Sequence, residues 1–207
     1  MRELIKRNLY LCVAHREDMS RFLVDVLEGG VDIVQLREKV LPDELCLKTA
    51  RLMAPICRDF GVPFIMNDSP ELALQAGADG VHVGQDDVSV ARCRDLLGDE
   101  AIVGLSTHSD REFDAALLQA TSYLSAGPIE PTPTKVGRAG TGIGFAVGAQ
   151  ARSNRPVFVT GGVNKDNIGE LVEEGLRHFV VVRAICDAAN PKAEAQELRR
   201  ALNLALA

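Results

Sequence analysis

Short apolar runs alternate with longer segments of helical spacing along the whole chain. The apolar runs are four to six residues long, which is typical of buried strands, and they lie at 9–13, 31–36, 63–66, 80–83, 101–105, 123–126, 156–160 and 179–182. The segments of helical spacing follow them, at 21–28, 44–59, 71–75, 89–97, 111–120, 145–151, 167–173 and 193–204. This regular alternation of strand and helix predicts a parallel sheet.

A weak internal repeat supports the alternation. The segments VLEGGVDIVQL, ALQAGADGVHV and VEEGLRHFVVV each run from a helix through glycine into a strand, and glycine suits the left-handed position that ends many helices. Eight strand–helix units of about 25 residues account for the chain, so we predict one (β/α)8 barrel domain over residues 1–207. A doubly wound open sheet is the alternative, but the sequence lacks G-x-G-x-x-G after its first strand.

Composition narrows the class of protein. The chain has 207 residues and a formal net charge of −6, which argues against a general nucleic-acid binder. Its five cysteines form no closely spaced pair, which argues against a zinc ribbon or a disulfide framework. The first apolar run is too short for a signal peptide, and no stretch approaches about 18 apolar residues. We therefore expect a cytoplasmic protein that does not span a membrane.

The second strand carries the most informative pattern. Gln35, Arg37 and Lys39 continue the inward phase of the apolar run, so this row turns polar and then cationic at the carboxyl end of the strand. In a (β/α)8 barrel that end faces the active site, so we interpret the three as site residues. A solvated strand end is the alternative.

His82, in the fourth strand, is out of phase with its apolar neighbours and fits either a site residue or a packed histidine.

Carboxylates follow the third and fourth strands. Asn67 and Asp68 come directly after one strand, and Asp87 follows the next. Two carboxylates on neighbouring strand ends suit Mg²⁺, which commonly shares one or two carboxylates with substrate phosphates. Taken separately, each pair of residues is also typical of turns and helix N-caps.

Polar loops follow the fifth and sixth strands. Ser109 and Glu112 form the pattern of a capping box, which leaves Ser106 to hydrogen-bond a ligand. The prolines of the segment GPIEPTPTK, at 127–135, hold an extended backbone that presents hydroxyls and an ammonium group. The glycine-rich stretch 136–144 is either a flexible connection or a lid that excludes water.

Glycines mark the end of the seventh strand. Gly161 and Gly162 follow it directly, and Arg183 and Ala184 follow the eighth strand. The loops after strands seven and eight of such barrels often bind phosphate through backbone N–H groups. We therefore predict an anion site formed by these four residues.

Taken together, these motifs resemble those of the thiamine phosphate synthase family. The resemblance covers nearly the whole chain through QLREK, ND, ADGVHVGQDD, GLSTHS, GPIEPTPTK, GGVNKDNI and VVVRAI, of which PTPTK and VHVGQDD are the most specific. The family is a (β/α)8 barrel. It joins 4-amino-5-hydroxymethyl-2-methylpyrimidine diphosphate to a thiazole phosphate and releases diphosphate in the presence of Mg²⁺.

The resemblance implies a role for each matching position. It places Gln35, His82 and Ser106 around the pyrimidine, and it implies that the diphosphate is bound by Arg37, Lys39, Asn67 and Lys135. The metal ligands would be Asp68 and Asp87. Thr132 and Thr134 would line the reaction centre and the thiazole, and the thiazole phosphate would be bound by Gly161, Gly162, Arg183 and Ala184. Ser106, Thr132, Thr134 and Lys135 are the residues expected closest to the chemistry.

Three positions depart from the family pattern. Ser69 replaces a usual arginine, Glu130 an apolar residue and Arg183 a small residue. None of these removes an assigned role. Two other functions on the same barrel stay open, a thiazole tautomerase-like enzyme and a non-catalytic sensor of a phosphate ligand. The expected partners are the two small-molecule substrates, without nucleic acid or membrane, and self-association into a homo-oligomer is an open option.

Overall fold

The computed structural model describes residues 4–132 and 139–206, and its centre is a closed barrel of eight parallel strands. The strands pair in chain order, and β8 closes the barrel against β1. They are β1 Leu9–Val13, β2 Ile33–Leu36, β3 Phe64–Asn67, β4 Gly80–Val83, β5 Ile102–Thr107, β6 Tyr123–Ala126, β7 Val157–Val159 and β8 His178–Val181. The predicted (β/α)8 barrel is therefore confirmed.

Helices follow the strands on the outside of the barrel. They are α1 Met19–Glu28, α2 Asp43–Asp59, α3 Pro70–Ala76, α4 Val90–Leu97, α5 Asp110–Leu117, α6 Ile143–Arg152, α7 Ile168–Glu173, α8 Arg183–Cys186 and α9 Pro191–Leu206. A short 3₁₀ turn, Leu4–Lys6, precedes β1. Gly77 ends α3 in the left-handed conformation, as the internal repeat predicts.

Two details of the helices differ from the sequence prediction. The short helix α8 begins at Arg183, where the pattern predicts a strand end followed by a loop. Helix α7 begins at Ile168, one residue after the start of the segment predicted at 167–173. Before it, Asn164 and Asn167 bind backbone groups of the preceding turn through their side-chain amides, which competes with helix formation.

Alternation along the strands separates two apolar layers. Residues such as Leu11, Val34 and Leu124 face outward and pack against the helices in the larger core. The inward-facing layer fills the barrel and consists of Leu4, Tyr10, Cys12, Ile33, Ile65, Tyr123, Phe158 and Val180. Tyr10 and Tyr123 each meet Phe158 edge-to-face with ring centroids 5.2 Å apart, so aromatic rings close the barrel below the site.

No helix in the two described ranges has the length and apolar character needed to cross a bilayer. All five cysteines are free thiols.

Candidate active site

A cavity of about 390 Å³ opens at the carboxyl end of the barrel strands. Ten predicted site residues line it together, from seven of the eight strands or the segments after them: Gln35, Arg37, Asn67, His82, Ser106, Thr132, Gly161, Gly162, Arg183 and Ala184. Lys39, Asp68 and Asp87 lie outside this lining, and Thr134 and Lys135 lie outside the described residues. The glycine-rich stretch 136–144, which the sequence predicts to be either a flexible connection or a lid, lies partly outside them as well.

The inner part of the cavity is lined by a chain of hydrogen bonds between amide, hydroxyl and imidazole side chains. Gln35 Nε2 donates to the Tyr10 hydroxyl at 2.8 Å, and the Tyr10 and Tyr123 hydroxyl oxygens are 2.8 Å apart. Tyr123 Oη lies 2.9 Å from His82 Nδ1, and His82 Nε2 lies 2.8 Å from Ser106 Oγ. His82 is thus both a site residue and a hydrogen-bonded histidine, so the two readings of its sequence position are compatible.

Burial keeps the two tyrosines at the centre of these hydrogen bonds uncharged. Tyr10 and Tyr123 are 1% and 0% exposed, and burial raises the pKa of both phenols. Both hydroxyls are therefore protonated at neutral pH. Gln35 and Ser106 are also buried, so a ligand that reaches this depth meets amide, hydroxyl and imidazole groups without a formal negative charge.

Asn67 carries an unsatisfied donor at the cavity. It ends β3, is 9% exposed, and its Nδ2 is buried without a hydrogen-bond partner among the described residues. A buried donor without a partner costs about 1–3 kcal/mol, and a ligand acceptor would recover that energy. The arrangement therefore suits an oxygen-rich ligand next to Asn67.

The loop after β2 holds two cations at the rim. The Arg37 backbone N–H donates to Val13 O at 2.8 Å, which ties the loop to β1. Glu38 anchors the loop further, because its carboxylate accepts four backbone N–H groups, those of His15, Lys39, Val40 and Leu41. Partial burial opposes ionisation of Glu38, but these bonds outweigh it and lower its pKa.

Asp68 and Asp87 come together beside the cavity. Asp68 adopts a left-handed backbone conformation (φ 65°), its N–H donates to His82 O at 2.8 Å, and its carboxylate pairs with Lys39. Asp87 Oδ2 accepts the Gly84 N–H at 2.8 Å. Burial raises the pKa of Asp68, and the charge of Asp87 raises it further, although Lys39 acts in the opposite direction.

The arrangement of these two carboxylates fits a divalent cation. Close carboxylates repel each other, and a cation between them removes that cost. No group of three or more His, Cys, Asp or Glu side chains in the described ranges is arranged to hold a metal. In proteins, Mg²⁺ is often bound by only one or two carboxylates, and substrate phosphate and water supply its remaining ligands.

Glycine shapes the opposite side of the cavity. Gly161 and Gly162 have φ values of 97° and 79°, which residues with a side chain rarely adopt. A Cβ on Gly162 would collide with the carboxylate of Glu130, so this carboxylate lies directly against the glycine loop. Glu130, which departs from the family pattern, therefore brings a carboxylate to the anion site predicted at Gly161 and Gly162. Arg183, on the exposed end of α8, supplies a cation on the same side.

The capping box after β5 is confirmed in part. Ser109 Oγ accepts the Glu112 N–H at 3.3 Å, as predicted. The Glu112 carboxylate, however, accepts the N–H of His108 at 2.7 Å instead of that of Ser109. Ser106 lies in the cavity lining, as predicted.

Sequence reasoning missed several residues of the lining. They are Tyr10, Cys12, Tyr123, Ser125, Thr160, Val163, Asn164, Val180 and Val182. A signal was present in two strands, because β1 and β6 alternate Tyr10 with Leu11 and Tyr123 with Leu124. The same period-of-two argument that identified Gln35 applies to both tyrosines.

The fold and the cavity define a class, the (β/α)8 barrel enzymes that bind phosphate-bearing ligands at the carboxyl ends of their strands. A family model described as thiamine monophosphate synthase matches residues 9–185. The chain belongs to this family, whose members are transferases. The activity of the chain is the synthesis of thiamine phosphate.

Similar proteins agree with this assignment. A thiamine-phosphate synthase from Acidothermus cellulolyticus is 43% identical over 199 residues, which cover 94% of each chain. One from Nostoc punctiforme is 37% identical over 97% of this chain, which spans 57% of that longer relative. The structure of a thiamine phosphate pyrophosphorylase from Pyrococcus furiosus superposes with a TM-score of 0.86 at 26% identity and 97% coverage of both chains.

Proposed function

We propose that the cavity holds 4-amino-5-hydroxymethyl-2-methylpyrimidine diphosphate beside 4-methyl-5-(2-phosphooxyethyl)thiazole and joins them to thiamine phosphate and diphosphate. The observation that carries this proposal is the convergence of three kinds of group on one cavity. Neutral polar side chains lie deep, a cation and an unsatisfied amide lie on one rim, and glycines with a second cation lie on the other.

The pyrimidine occupies the inner part of the cavity. Gln35, His82 and Ser106 surround it, and their connected hydrogen bonds hold each polar group in one orientation. An aminopyrimidine ring carries both donors and acceptors, so these neutral groups satisfy it without burying a charge.

The diphosphate lies at the rim formed by β2 and β3. Arg37, Lys39 and Asn67 bind its oxygens, and Lys135 adds a further cation by resemblance to the family. Lys39 is paired with Asp68 in the structure. A bound diphosphate would offer Lys39 a phosphate partner, and Asp68 would then be available as a metal ligand.

Asp68 and Asp87 would hold Mg²⁺, and their proximity supports this assignment. When bound, Mg²⁺ would supply positive charge beside the diphosphate. Arg37 and Asn67 act on the same oxygens from the protein side, through hydrogen bonds that strengthen as negative charge develops there.

The reaction is a displacement in which leaving-group departure precedes attack. The bond between the pyrimidine methylene carbon and the diphosphate oxygen breaks, and its electron pair leaves with the diphosphate. The electron-rich aminopyrimidine stabilises the resulting cation, and the thiazole nitrogen lone pair then forms the new C–N bond. The protein contributes by orienting both substrates and excluding water from the cation.

The thiazole phosphate lies on the opposite rim. Gly161 and Gly162 offer backbone N–H groups, and Arg183 and Ala184 stand at the start of α8 beside them. Thr132 lines the space between the two rims, and by resemblance Thr134 joins it at the reaction centre.

The test measures diphosphate release with purified protein, both substrates and Mg²⁺. We expect release that requires the thiazole phosphate and yields thiamine phosphate in equal amount. Proton transfer on the thiazole without diphosphate release would favour a tautomerase-like enzyme. Saturable binding of the thiazole phosphate without turnover would favour a sensor.

The domain organisation, location and partners remain part of the proposal. One barrel domain over residues 1–207, located in the cytoplasm, accords with the free thiols of all five cysteines. The absence of nucleic-acid and membrane partners and the option of a homo-oligomer stay predictions.

A further inference from the structure

We propose that Tyr10 and Tyr123 are positioning residues that fix the protonation pattern of His82 and thereby make Ser106 a hydrogen-bond donor to the pyrimidine. The inference rests on the proposed function for the identity of the ligand. Its structural part concerns hydrogen bonds within the protein, which a measurement on the ligand-free protein can test.

The direction of the hydrogen bonds is set at Gln35. Its Nε2 donates to Tyr10 Oη at 2.8 Å, while Cys12 Sγ donates to its Oε1 at 3.5 Å. The amide nitrogen can only donate hydrogen bonds, so the Tyr10 oxygen must be the acceptor. The proton of Tyr10 then points to Tyr123, whose hydroxyl oxygen is 2.8 Å away.

Tyr123 passes this direction to His82. Its oxygen accepts from Tyr10, so its own proton goes to His82 Nδ1 at 2.9 Å. An imidazole nitrogen that accepts carries no proton, so neutral His82 is protonated at Nε2. That nitrogen donates to Ser106 Oγ at 2.8 Å.

Ser106 is the end of the chain. Its oxygen accepts from His82 and from Ser125 Oγ, which lies 3.4 Å away. These two bonds use both lone pairs of the hydroxyl. The one remaining proton of Ser106 is available to an acceptor in the cavity, and a ring nitrogen of the pyrimidine has that chemistry.

The fold leaves space for this contact at one glycine. Gly104 pairs with His82 on one side and with Tyr123 on the other in the strand register. A Cβ on Gly104 would collide with the Tyr123 phenol and lie 2.6 Å from His82 Nδ1. The missing side chain therefore lets the Tyr123 hydroxyl reach the imidazole.

The opposite direction has a distinct signature. With the Gln35 amide reversed, every bond in the chain would reverse, and His82 would be protonated at Nδ1. Ser106 would then donate to His82 and have no proton for the pyrimidine. The tautomer of His82 therefore reports which direction the protein uses.

The first experiment determines this tautomer by NMR of ligand-free protein labelled with ¹⁵N-histidine. The His82→Asn variant assigns the signals by their loss. We expect the Nε2-protonated tautomer in the native protein. The Nδ1-protonated tautomer would overturn the proposal, and so would a mixture of the two.

The second experiment compares Tyr123→Phe with Tyr10→Phe. Each removes one hydroxyl from the same chain at a fully buried ring, but only Tyr123 contacts His82. We expect about a tenfold loss of kcat and a raised KM for the pyrimidine diphosphate in Tyr123→Phe, with a mixed His82 tautomer, and about a threefold loss of kcat in Tyr10→Phe. The KM for the thiazole phosphate should be unchanged in both.

Equal losses in the two variants, or a parallel rise of both KM values, would indicate a merely structural role and overturn the proposal. If Tyr123→Phe does not fold, the tautomer of the native protein decides alone. Native protein that makes no thiamine phosphate would refute the proposed function, while the tautomer measurement would still give its answer.

Discussion

Replacing Arg37 with alanine tests the diphosphate site most directly. Arg37 lines the cavity, its backbone is tied to β1, and it forms no ion pair with any described carboxylate. Lys39, two residues further on, is paired with Asp68. Within this loop, Arg37 is therefore the cation whose charge is not already balanced by a described carboxylate.

The magnitude follows from the type of contact. A hydrogen bond to a charged group contributes about 1.5–3 kcal/mol, which corresponds to roughly a 10- to 150-fold effect on a rate if it acts in the transition state. Negative charge on the diphosphate oxygens grows as the C–O bond breaks, so the loss should fall mainly on kcat. Arg37→Lys keeps the charge but not the forked geometry, and we expect an intermediate loss.

The assay is steady-state diphosphate release with both substrates and saturating Mg²⁺. Arg21→Ala is the matched control, because it removes the same charge from an 88% exposed side chain that pairs with Asp25 on the outer helix α1. We expect native kinetics for this control. Near-native kcat and KM in Arg37→Ala would remove Arg37 from the diphosphate site.

Three further variants test other parts of the site. Asp87→Asn should raise the Mg²⁺ concentration needed for half-maximal activity, and an unchanged metal titration would exclude Asp87 as a ligand. Glu130→Gln should lower the KM for the thiazole phosphate about fivefold, since two anions about 4 Å apart repel by roughly 1 kcal/mol even in water; an unchanged KM would show that Glu130 does not oppose the phosphate. Glu38→Gln should lower the free energy of unfolding by about 1 kcal/mol at pH 7. Because the folded pKa of Glu38 is lowered, its stabilisation is complete above the unfolded pKa and disappears as the pH falls through the folded value, so denaturant titrations of the two proteins should converge in acid.

Much of this architecture was predictable because the strands obey a simple rule. Each strand is short, apolar and followed by a helix, so periodicity alone identifies all eight strands to within two residues at either end. The starts of the eight predicted helices also lie within two residues of the observed ones, whereas the short helix α8 is not predicted by the periodicity.

The site residues on the strands were predicted from the alternation of inward-facing and outward-facing side chains. Gln35 and Arg37 were found because a polar phase interrupts an apolar strand. Tyr10 and Tyr123 also face into the barrel, but tyrosine is counted as an apolar residue in a hydrophobicity pattern and therefore does not mark a polar site. The contact between Glu130 and Gly162 involves two loops far apart along the chain, and no local pattern encodes it.

The distribution of charge over the cavity explains how two anionic substrates share one small space. Arg37 and Arg183 are the charged residues of the described lining, and both follow strand ends at the mouth. A charge deeper in the barrel would lose its hydration without a partner, whereas hydroxyl, amide and imidazole groups satisfy one another there. Under the proposed function, the neutral pyrimidine would therefore enter deepest, while its diphosphate would stay on the Arg37 rim and the thiazole phosphate on the Arg183 rim. The new C–N bond would then form in the space between the rims, next to Thr132, and the diphosphate would face solvent once the C–O bond has broken.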